Sequence, residues 1–538
     1  MRQSEPQVKR AVVLRALLIV LLSVIAYFPA IQGGFIWDDD AYLTENPEME
    51  SINGWHQIWL EKPSTHQYYP LVLSSFRLEH HLWGLHPLGY HLINVLLHGM
   101  NAVLLWLILR KLGMRGAWIA GVLFALHPVM VESVAWITER KNVMSGAFYL
   151  LSLLAYLRFE PFQQEENPKR NPAFYFLSLG LFLCALLSKT VTCSLPVILG
   201  ILIWWKHGGV TRRQIAPLLP FLAMGLGMGL GTAWLEKHSI GAQGSEYTLT
   251  LLERGLLAGK ALWFYIGKLV LPTDLTFIYP HWNIQASDLV LFIYPLGFFC
   301  LLGMLWGFRN RIGRGPLAAF LVFSITLFPA LGFINVFPFR YSYVADHFQY
   351  LASAGLIALA ASGIARLDSI NQTLRPALTW ALIGLLGLLT WTQSYSYTSL
   401  EALWRDTLEK NPSAVIAHFN LANLLGKRGK SSEAIEHYSA CVQLQPEFYE
   451  AYANRAGLLA LQGKREQARL DYLEALRVAS KKGDRDAQMI IRRSLEGLPR
   501  EGEAPVEPVR GVTSEGSQGL SPCRWSRFFN LASGHKLG

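Results

Sequence analysis

Charged side chains are scarce in this 538-residue sequence: only 16% of its residues are Asp, Glu, Lys or Arg, whereas 52% are hydrophobic. Soluble proteins carry about 25% charged residues, so composition excludes a wholly soluble chain. The deficit is uneven, because long apolar runs fill residues 11–400 while residues 401–538 have the composition of a soluble protein. The sequence therefore predicts at least two units, with a boundary near residue 400.

Cysteine is scarce as well. Three of the five cysteines, Cys184, Cys193 and Cys300, lie in apolar runs, and none of the five has a CxxC or zinc-binding spacing. A buried thiol in an apolar run acts as a small hydrophobic residue. The sequence therefore predicts neither a disulfide framework nor a metal site built on cysteine.

The net charge of +10 does not indicate a nucleic-acid partner, because many of the basic residues lie in short loops between apolar runs. Basic residues in such loops orient membrane-spanning helices. Residues 499–538, rich in Gly, Ser, Pro and Glu, are predicted to be a disordered basic tail. Six arginines form the only basic patch at this end: Arg492, Arg493, Arg500, Arg510, Arg524 and Arg527.

Long apolar runs are abundant in the first 399 residues. A membrane-spanning helix needs about 20 apolar residues, with about 17 as a lower limit. Each span must be helical, because lipid offers no hydrogen-bond partner to a bare backbone. Eleven runs meet or approach this length: 11–32, 88–109, 116–137, 142–158, 172–188, 190–206, 214–235, 289–308, 315–337, 347–365 and 376–396.

The side on which the basic loops fall predicts the orientation of the spans. Basic loops follow the second, fourth and sixth runs, and all fall on the cytoplasmic side if residues 255–272 do not cross the membrane. That segment carries Lys260 and Lys268, which favours an amphipathic or re-entrant helix on the outer face. The first run resembles a signal peptide but lacks a small-residue cleavage site, so we expect it to be retained as a span. Residues 400–538 are then outside the cytoplasm.

A repeat follows the last apolar run. Asn420, Ala422, Leu424, Leu425, Gly429, Ala434 and Tyr438 recur 34 residues later, and so does Pro412. This period with these residue types is typical of tetratricopeptide (TPR) repeats. We predict a short TPR solenoid over residues 400–498, with a degenerate first helix at 400–411 and a capping helix at 484–497. Its groove is predicted to bind a peptide or protein; a structural lid or a dimer contact is the alternative.

An acidic cluster lies just after the first span, at Asp38, Asp39 and Asp40. Three adjacent carboxylates repel one another, so such a cluster persists when it binds a cation or supplies a base with a raised pKa. An acidic solvated loop beside a span is the alternative reading.

Other ionisable residues lie beside apolar segments, where they are costly and usually functional. Two predicted outward segments and one junction between apolar runs carry them, and together they can surround an outward cavity that holds a phosphate. Singly, each is as well explained by an interfacial ion pair. They are His127, Glu132, Arg140, Lys141, Lys189, Arg340, Asp346 and His347.

His91, Asn94 and His98 share one face of a predicted helix, at spacings of three and four residues. Two histidines separated by two turns form a poor metal site. An interhelical hydrogen-bonding stripe is the favoured reading.

Seven segments, in chain order, resemble the transmembrane-and-TPR protein O-mannosyltransferases and their bacterial relatives in the GT-C class of glycosyltransferases. The resemblance covers about residues 15–480. The segments are FIWDDDAYLTENP (35–47), YYPL (68–71), GYHLINVLLH (89–98), LHPVMVESVAWITERKN (126–142), LLSKT (186–190), LPTDLTF (271–277) and YSYVADHFQYLAS (341–353).

The resemblance implies an all-α fold: a polytopic GT-C-like membrane domain of about 11 helices over residues 1–399, followed by the TPR solenoid. It also implies that Asp38 and Asp39 are the catalytic pair, one deprotonating an acceptor hydroxyl and the other positioning acceptor or donor. The donor is then a polyprenyl-phosphate sugar such as polyprenyl-phosphate mannose, transferred with inversion to an external acceptor, and the expected location is a bacterial inner membrane. Arg140, Lys189 and Arg340 are the expected phosphate-binding residues, while Glu132, His127, Asp346 and His347 match other motif positions.

The chain departs from the family pattern at Tyr69, Thr190 and the segment DHFQY, where the family often has Arg, Glu and ERYLY. These departures leave sugar and acceptor open, the acceptor being protein Ser/Thr, glycan or lipid. No cofactor is predicted firmly, although a divalent cation at Asp38 and Asp39 is compatible with the sequence. Two other functions stay open: a non-catalytic membrane scaffold that recruits partners through its TPR module, and a transporter, which the lack of a clear repeat among the spans disfavours.

Overall fold

A computed structural model describes most of the chain, and the regular secondary structure of the described residues is helical. No strand occurs in that part, in agreement with the predicted all-α class. The described residues are 5–61, 65, 67–160, 170–235, 238, 248–367 and 373–498, so the predicted disordered tail 499–538 lies outside them. Contacts within the chain divide it between Ala402 and Leu403 into two compact units.

The first unit contains seventeen described α-helices, several extended at one end by a 3₁₀ turn. They are α1 Glu5–Ala26, α2 Phe28–Ile31, α3 Gly54–Leu60, α4 Pro70–Trp83, α5 Pro87–Lys111, α6 Ala117–Leu126, α7 Val131–Ala135, α8 Arg140–Phe159, α9 Pro172–Ser188, α10 Leu195–His207, α11 Arg212–Ile215, α12 Leu219–Leu235, α13 Leu251–Val270, α14 Ile293–Ile312, α15 Gly315–Leu327, α16 Ser353–Arg366 and α17 Leu374–Tyr395.

Six helical segments of the described chain are long and apolar enough to cross a membrane. Counting one bent pair as a single span gives up to seven: α6 and the segment Pro128–Ala135 meet at an angle of 57°. The break falls where Pro128 follows His127, since proline removes a backbone donor and disfavours helix in the residue before it. The six are Pro87–Lys111, Ile137–Phe159, Thr190–His207, Arg212–Leu235, Leu289–Ile312 and Pro376–Tyr395.

The predicted count of eleven spans is therefore not confirmed, although a helix occupies each of the eleven ranges. Three of the remaining ranges form apolar helices shorter than 18 residues, Pro172–Ser188, Gly315–Ala330 and Ser353–Arg366. The other is α1, which is 22 residues long but includes Lys9, Arg10 and Arg15. The chain is a multi-pass membrane protein with six or seven spans by length and composition alone.

Residues 255–272, which we predicted to stay at the outer face, fall almost entirely in α13. The helix begins with a capping box, in which Thr250 and Glu253 exchange hydrogen bonds with each other's backbone N–H groups. One side of α13 is buried, including Leu257, Leu262 and Tyr265, whereas Lys260 and Lys268 are only half-buried. This helix is not among the six segments that qualify as spans, and its two-sided character agrees with the predicted amphipathic helix.

The second unit begins within a helix that crosses the division of the chain and continues as antiparallel helix pairs. As predicted, a helix with a buried Trp404 precedes the repeats and a capping helix follows them. The alanines that recur at 34-residue spacing are fully buried, because only a small residue lets paired helices approach closely: Ala422, Ala434, Ala456 and Ala468. The helices are α18 Leu400–Lys410, α19 Val415–Lys427, α20 Ser431–Leu444, α21 Tyr449–Leu461, α22 Arg465–Lys482 and α23 Arg485–Glu496.

Gly429 and Gly463 occupy equivalent turns of the two repeats, both with φ of +77°. An L-residue there costs about 1–2 kcal/mol, so we expect Gly463→Ala to destabilise the TPR unit by about that amount. Gly457→Ala is the matched control, because Gly457 is helical and an added Cβ would lie 3.5 Å from the Tyr472 hydroxyl, an ordinary contact. Hydrogen exchange of residues 449–482 measures the stability of the repeat in both variants. Equal protection from exchange in the two variants would contradict the turn assignment.

Candidate active site

The acidic pair, Asp38 and Asp39, lies in the loop after α2. Trp37, immediately before the pair, has a φ of +47°, which is uncommon for a residue with a side chain. A short π-helical turn, Asp40–Thr44, follows at once. Both features cost local stability and are concentrated at functional sites in proteins.

Asp39 is fully buried, and both of its carboxylate oxygens accept hydrogen bonds. The Ile36 N–H donates to one oxygen at 2.8 Å, and the Thr138 N–H donates to the other at 2.9 Å. The Thr138 hydroxyl also donates to that second oxygen. Burial nevertheless raises the pKa of Asp39 to about 7, against the effect of these hydrogen bonds. Asp39 therefore joins the acidic loop to the turn that precedes α8.

Asp38 differs from its neighbour, because part of its surface remains accessible. Burial raises the pKa of Asp38 to about 6, and the negative charges of Asp40 and Glu139 act in the same direction. The positive charges of Lys141 and His347 oppose the rise. Asp38 is thus an accessible carboxylate that holds a proton near neutral pH more readily than an ordinary aspartate, which suits a general base.

Two lysines share one buried carboxylate beside Asp38. Glu139 lies 3.0 Å from the Lys141 amine and accepts a hydrogen bond of 3.1 Å from Lys189. Lys189 also donates to the Asn142 side-chain oxygen at 2.7 Å. Lys189 follows the last residue of α9, so the junction of two apolar segments brings it to the start of α8. The two amines are thus held on one buried anion, in positions from which they can also bind an anionic ligand.

His347 and Glu132 form the opposite side of this cluster. The His347 N–H donates to Glu132 at 2.9 Å, and the His347 ring nitrogen Nδ1 lies 2.9 Å from the other carboxylate oxygen. The Asn142 amide donates to the His347 carbonyl oxygen at 3.0 Å. Asp346, next along the chain, accepts hydrogen bonds from the Tyr279 hydroxyl. Helix α7 and the 3₁₀ turn Asp346–Gln349 are therefore fastened to each other and to α8.

Aromatic rings adjoin the charged cluster. Trp37 and Trp136 both contact Phe277, with ring centroids 6.0 and 5.1 Å apart. The Lys141 amine lies 5.5 Å from the Trp136 ring centroid and 5.3 Å from that of Tyr42. Such rings stabilise a cation and offer flat apolar surfaces, which is the setting in which sugar rings stack.

Arg140, predicted to bind a phosphate, is engaged elsewhere. Its guanidinium donates to both carboxylate oxygens of the buried Glu79, to the Asn94 side-chain oxygen and to the Tyr90 carbonyl oxygen. Consecutive residues of a helix point about 100° apart, so Arg140 and Lys141 face different neighbours. The structure does not bring the Arg140 guanidinium into the cluster around Glu139.

Two other predicted residues also contact different neighbours. His127 caps the turn after the helix break, and its Nε2 lies 3.0 Å from the Leu269 carbonyl oxygen at the end of α13. The Arg340 guanidinium lies over the rings of Phe337 and Tyr341, 5.7 and 5.6 Å from their centroids. Their predicted roles in binding substrate stay predictions.

The polar stripe on α5 makes the interhelical hydrogen bonds that its spacing predicted. Asn94 donates to the carbonyl oxygens of Trp136 and Ile137, and His98 is within hydrogen-bond distance of the Tyr350 hydroxyl and the Ala125 carbonyl oxygen. The stripe therefore aligns α5 with α6, with the start of α8 and with the segment carrying Asp346 and His347.

The sequence was compatible with a divalent cation at Asp38 and Asp39. The structure shows which side chains would be available to bind it. Protein donors already occupy both oxygens of Asp39 and compete with a cation for them. Within the described ranges, no group of three or more His, Cys, Asp or Glu side chains is placed to hold a metal ion. The residues present fit an ion-paired polar cluster better than a carboxylate cage.

Comparison with known proteins identifies relatives of both units. Residues 415–448 match the tetratricopeptide repeat family. Protein O-mannosyl-transferase TMTC1 of Homo sapiens is 25% identical over 504 residues, covering 82% of this chain and 56% of the relative. TMTC4 of Mus musculus is 24% identical over 503 residues, covering 78% and 65%. The chain is a homologue of the TMTC protein O-mannosyl-transferases.

Relatives extend to invertebrates: protein O-mannosyl-transferase F38B6.6 of Caenorhabditis elegans is 24% identical over 464 residues, covering 80% of this chain and 63% of the relative. The chain spans between about half and two thirds of the length of these TMTC-type relatives. These alignments cover about 80% of this chain, in agreement with the resemblance that the seven motifs indicated.

Sequence reasoning placed Lys141 among the residues that could surround an outward cavity but did not single it out as a phosphate ligand, and it overlooked Glu139 and Asn142. All three belong to the motif that contains Glu132 and Arg140. The available signal was a run of four polar residues, Glu139–Asn142, at the start of an apolar helix, where an ionisable side chain near lipid indicates function.

Proposed function

We propose that this chain is an inverting membrane glycosyltransferase that moves a hexose, in the first instance mannose, from a polyprenyl-phosphate carrier to the hydroxyl of a protein Ser or Thr. One observation carries the proposal: a partly accessible carboxylate, Asp38, lies near Lys141, which shares one buried glutamate with Lys189. A base and a cationic site for an anionic leaving group are the two components that such a transfer requires. The names of the homologues support the class of reaction.

The roles of the two aspartates follow from their surroundings. Asp38 takes the proton of the acceptor hydroxyl, whose oxygen attacks the anomeric carbon on the side opposite the carrier phosphate. The bond from that carbon to the phosphate oxygen breaks, and the polyprenyl phosphate leaves with the electron pair. Asp39 touches no reacting atom: it positions Asp38 by tying the loop to Thr138.

Lys141 and Lys189, with His347 on the opposite side, are the proposed stabilisers of the leaving phosphate. Their charges are oriented before substrate arrives, because Glu139, Asn142 and Glu132 fix them by hydrogen bonds and ion pairs. Preorganised charge costs no rearrangement during the reaction, which is the main source of electrostatic catalysis. Arg340 remains a further candidate for the phosphate.

The pH dependence of transfer is expected to report the Asp38 carboxyl. Because the base must be deprotonated, the rate should rise as the pH increases through about 6. Lys141→Met removes a positive charge that lowers the pKa of Asp38, so the rising limb should move to higher pH. Asp40→Asn removes a negative charge that raises this pKa and should move the limb to lower pH. Shifts of the same sign in the two variants would contradict the assignment.

We propose that the TPR module receives the acceptor polypeptide, and that the protein lies in a bacterial inner membrane with this module on the periplasmic side. The buried 34-residue pattern supports a stacked helix-pair surface of the kind that binds extended peptides. A protease site inserted after Gln445, between two repeat helices, tests on which side of the membrane the TPR module lies. Cleavage by protease added at the cytoplasmic face would contradict the periplasmic location.

The decisive experiment for the reaction uses the full chain in vesicles with polyprenyl-phosphate mannose and a Ser/Thr-rich acceptor protein. Mass spectrometry should find a hexose added to the acceptor and free polyprenyl phosphate released. If no donor binds while stable protein partners co-purify, the alternative holds, and the chain is a non-catalytic scaffold built on this fold.

A further inference from the structure

A cavity of about 440 Å³ lies between the helices of the membrane unit, away from the acidic pair. This volume falls within the range of ~300–1,000 Å³ that is usual for ligand sites. Its wall is largely apolar and comes mainly from five helices, α5, α8, α10, α15 and α16, with side chains such as Leu105, Leu153, Leu202, Val322 and Leu359.

Three arginines line one end of this cavity: Arg115, Arg314 and Arg366. No Asp or Glu is among the cavity-lining residues in the described part of the chain. The Arg314 guanidinium occupies the space beside Gly208, where an added Cβ would lie 2.2 Å from its Nη1. The end of α10 therefore leaves room for this side chain, and the cavity combines an apolar interior with a cationic end.

The cationic end is at the opposite side of the membrane unit from the acidic pair. His91, near the start of α5, lies 3.4 Å from the carbonyl oxygen of Gly34 in the loop that leads to Asp38. Leu112, just after the end of α5, lines the cavity next to Arg115. A helix rises about 1.5 Å per residue, so these points are about 30 Å apart, the thickness of the hydrocarbon core.

We propose that this cavity binds an anionic glycerophospholipid, with one acyl chain in the apolar interior and the phosphodiester on Arg115, Arg314 and Arg366. Guanidinium groups bind phosphate oxygens in pairs and with directional geometry. An acyl chain matches an apolar cavity within a membrane protein, and the leaflet on the basic side of a membrane protein is the one rich in anionic lipid.

Charge placement favours this occupant over the sugar donor. The donor's phosphate must reach Asp38 to react, about 30 Å from the three arginines. A free inorganic phosphate would use the arginines but not the apolar cavity. The exclusion of the sugar donor rests on the proposed function, and the proposal concerns a lipid that the protein holds without transforming.

The test uses the full-length protein in detergent, with palmitoyl-oleoyl phosphatidylglycerol as the anionic probe and the matching phosphatidylcholine as the zwitterionic one. The cavity variant is Arg115→Gln/Arg314→Gln/Arg366→Gln. Its matched control removes the same charge from the same side at residues that do not line the cavity: Arg110→Gln/Arg309→Gln/Arg311→Gln. Native mass spectrometry titrations give the affinity of each lipid.

We expect the cavity variant to bind phosphatidylglycerol at least about tenfold more weakly than the control, with phosphatidylcholine unaffected. Ala354→Phe, which fills the cavity without changing charge, should weaken phosphatidylglycerol binding too. Equal phosphatidylglycerol affinity in the two triple variants overturns the proposal. So does wild-type binding of phosphatidylcholine as tight as phosphatidylglycerol, displacement by millimolar inorganic phosphate, or preferential binding of polyprenyl phosphate. If the cavity variant does not fold, the proposal is tested by Ala354→Phe and by the affinities of the wild-type chain for the two lipids.

Discussion

Asp38→Asn is expected to lower the rate of sugar transfer by about 10²–10⁴-fold, the range that a general base contributes. An amide cannot accept the hydroxyl proton, yet it preserves the shape of a side chain that is only partly buried. The variant should therefore insert, fold and bind the carrier as the wild type does. Initial rates with polyprenyl-phosphate mannose, measured beside the thermal stability of the detergent-solubilised protein, separate the two effects.

The acidic triplet offers its own controls for this prediction. Asp40→Asn alters an exposed carboxylate, whose Oδ1 accepts a local hydrogen bond from the Ala41 N–H, and should retain most of the activity. Asp39→Asn should abolish transfer for a different reason: its amide would face a backbone donor, costing about 1–3 kcal/mol of stability. Wild-type rates in Asp38→Asn would remove the basis for an enzymatic function at this site.

The second large effect is expected on stability. Arg140 and Glu79 form a buried, doubly hydrogen-bonded ion pair, and breaking such a pair from one side costs about 3–5 kcal/mol, because the other charge stays buried and unpaired. Arg140→Met should destabilise the membrane unit by that amount. Denaturant-induced unfolding in mixed micelles measures the loss.

The double variant Arg140→Met/Glu79→Leu should recover much of this stability, since apolar residues of similar volume often replace a buried pair without net cost. Arg158→Met is the matched control, because Arg158 lies on the same helix but is exposed, and it should change stability by less than about 0.5 kcal/mol. A loss in the double variant as large as in the single one would show that the hydrogen bonds to Asn94 and Tyr90, and not the ion pair, set the cost.

The sequence allowed the helices and repeats to be predicted because both depend on local patterns. Apolar runs located a helix in every range proposed as a span, and a 34-residue period located the TPR unit. Whether each helix crosses the membrane was harder to predict, since α9, α15 and α16 are short and α6 ends before Pro128. The proline was the readable signal for that break.

The charged cluster was only partly predictable, because its members come from segments far apart in the chain. Asp38, Lys189 and His347 stood out as ionisable residues beside apolar runs, but no spacing places them together; helix packing does. Periodicity could have separated Arg140 from Lys141, since neighbouring residues on a helix cannot face the same site. Glu139, which pairs with both lysines, was detectable only as part of the polar run Glu139–Asn142.

The backbone N–H of Gly34 donates a 2.9 Å hydrogen bond to the carbonyl oxygen of Thr398, at the point where the chain leaves α17. Phe277, which contacts Trp37 and Trp136, also contacts Tyr397 next to it, with ring centroids 6.3 Å apart. The segment between α17 and α18 is therefore held by a hydrogen bond and a ring contact to the residues around Asp38. A displacement of residues 397–398 must therefore either break these contacts or move the acidic loop as well. A force on this segment would change the position of Asp38, the proposed base.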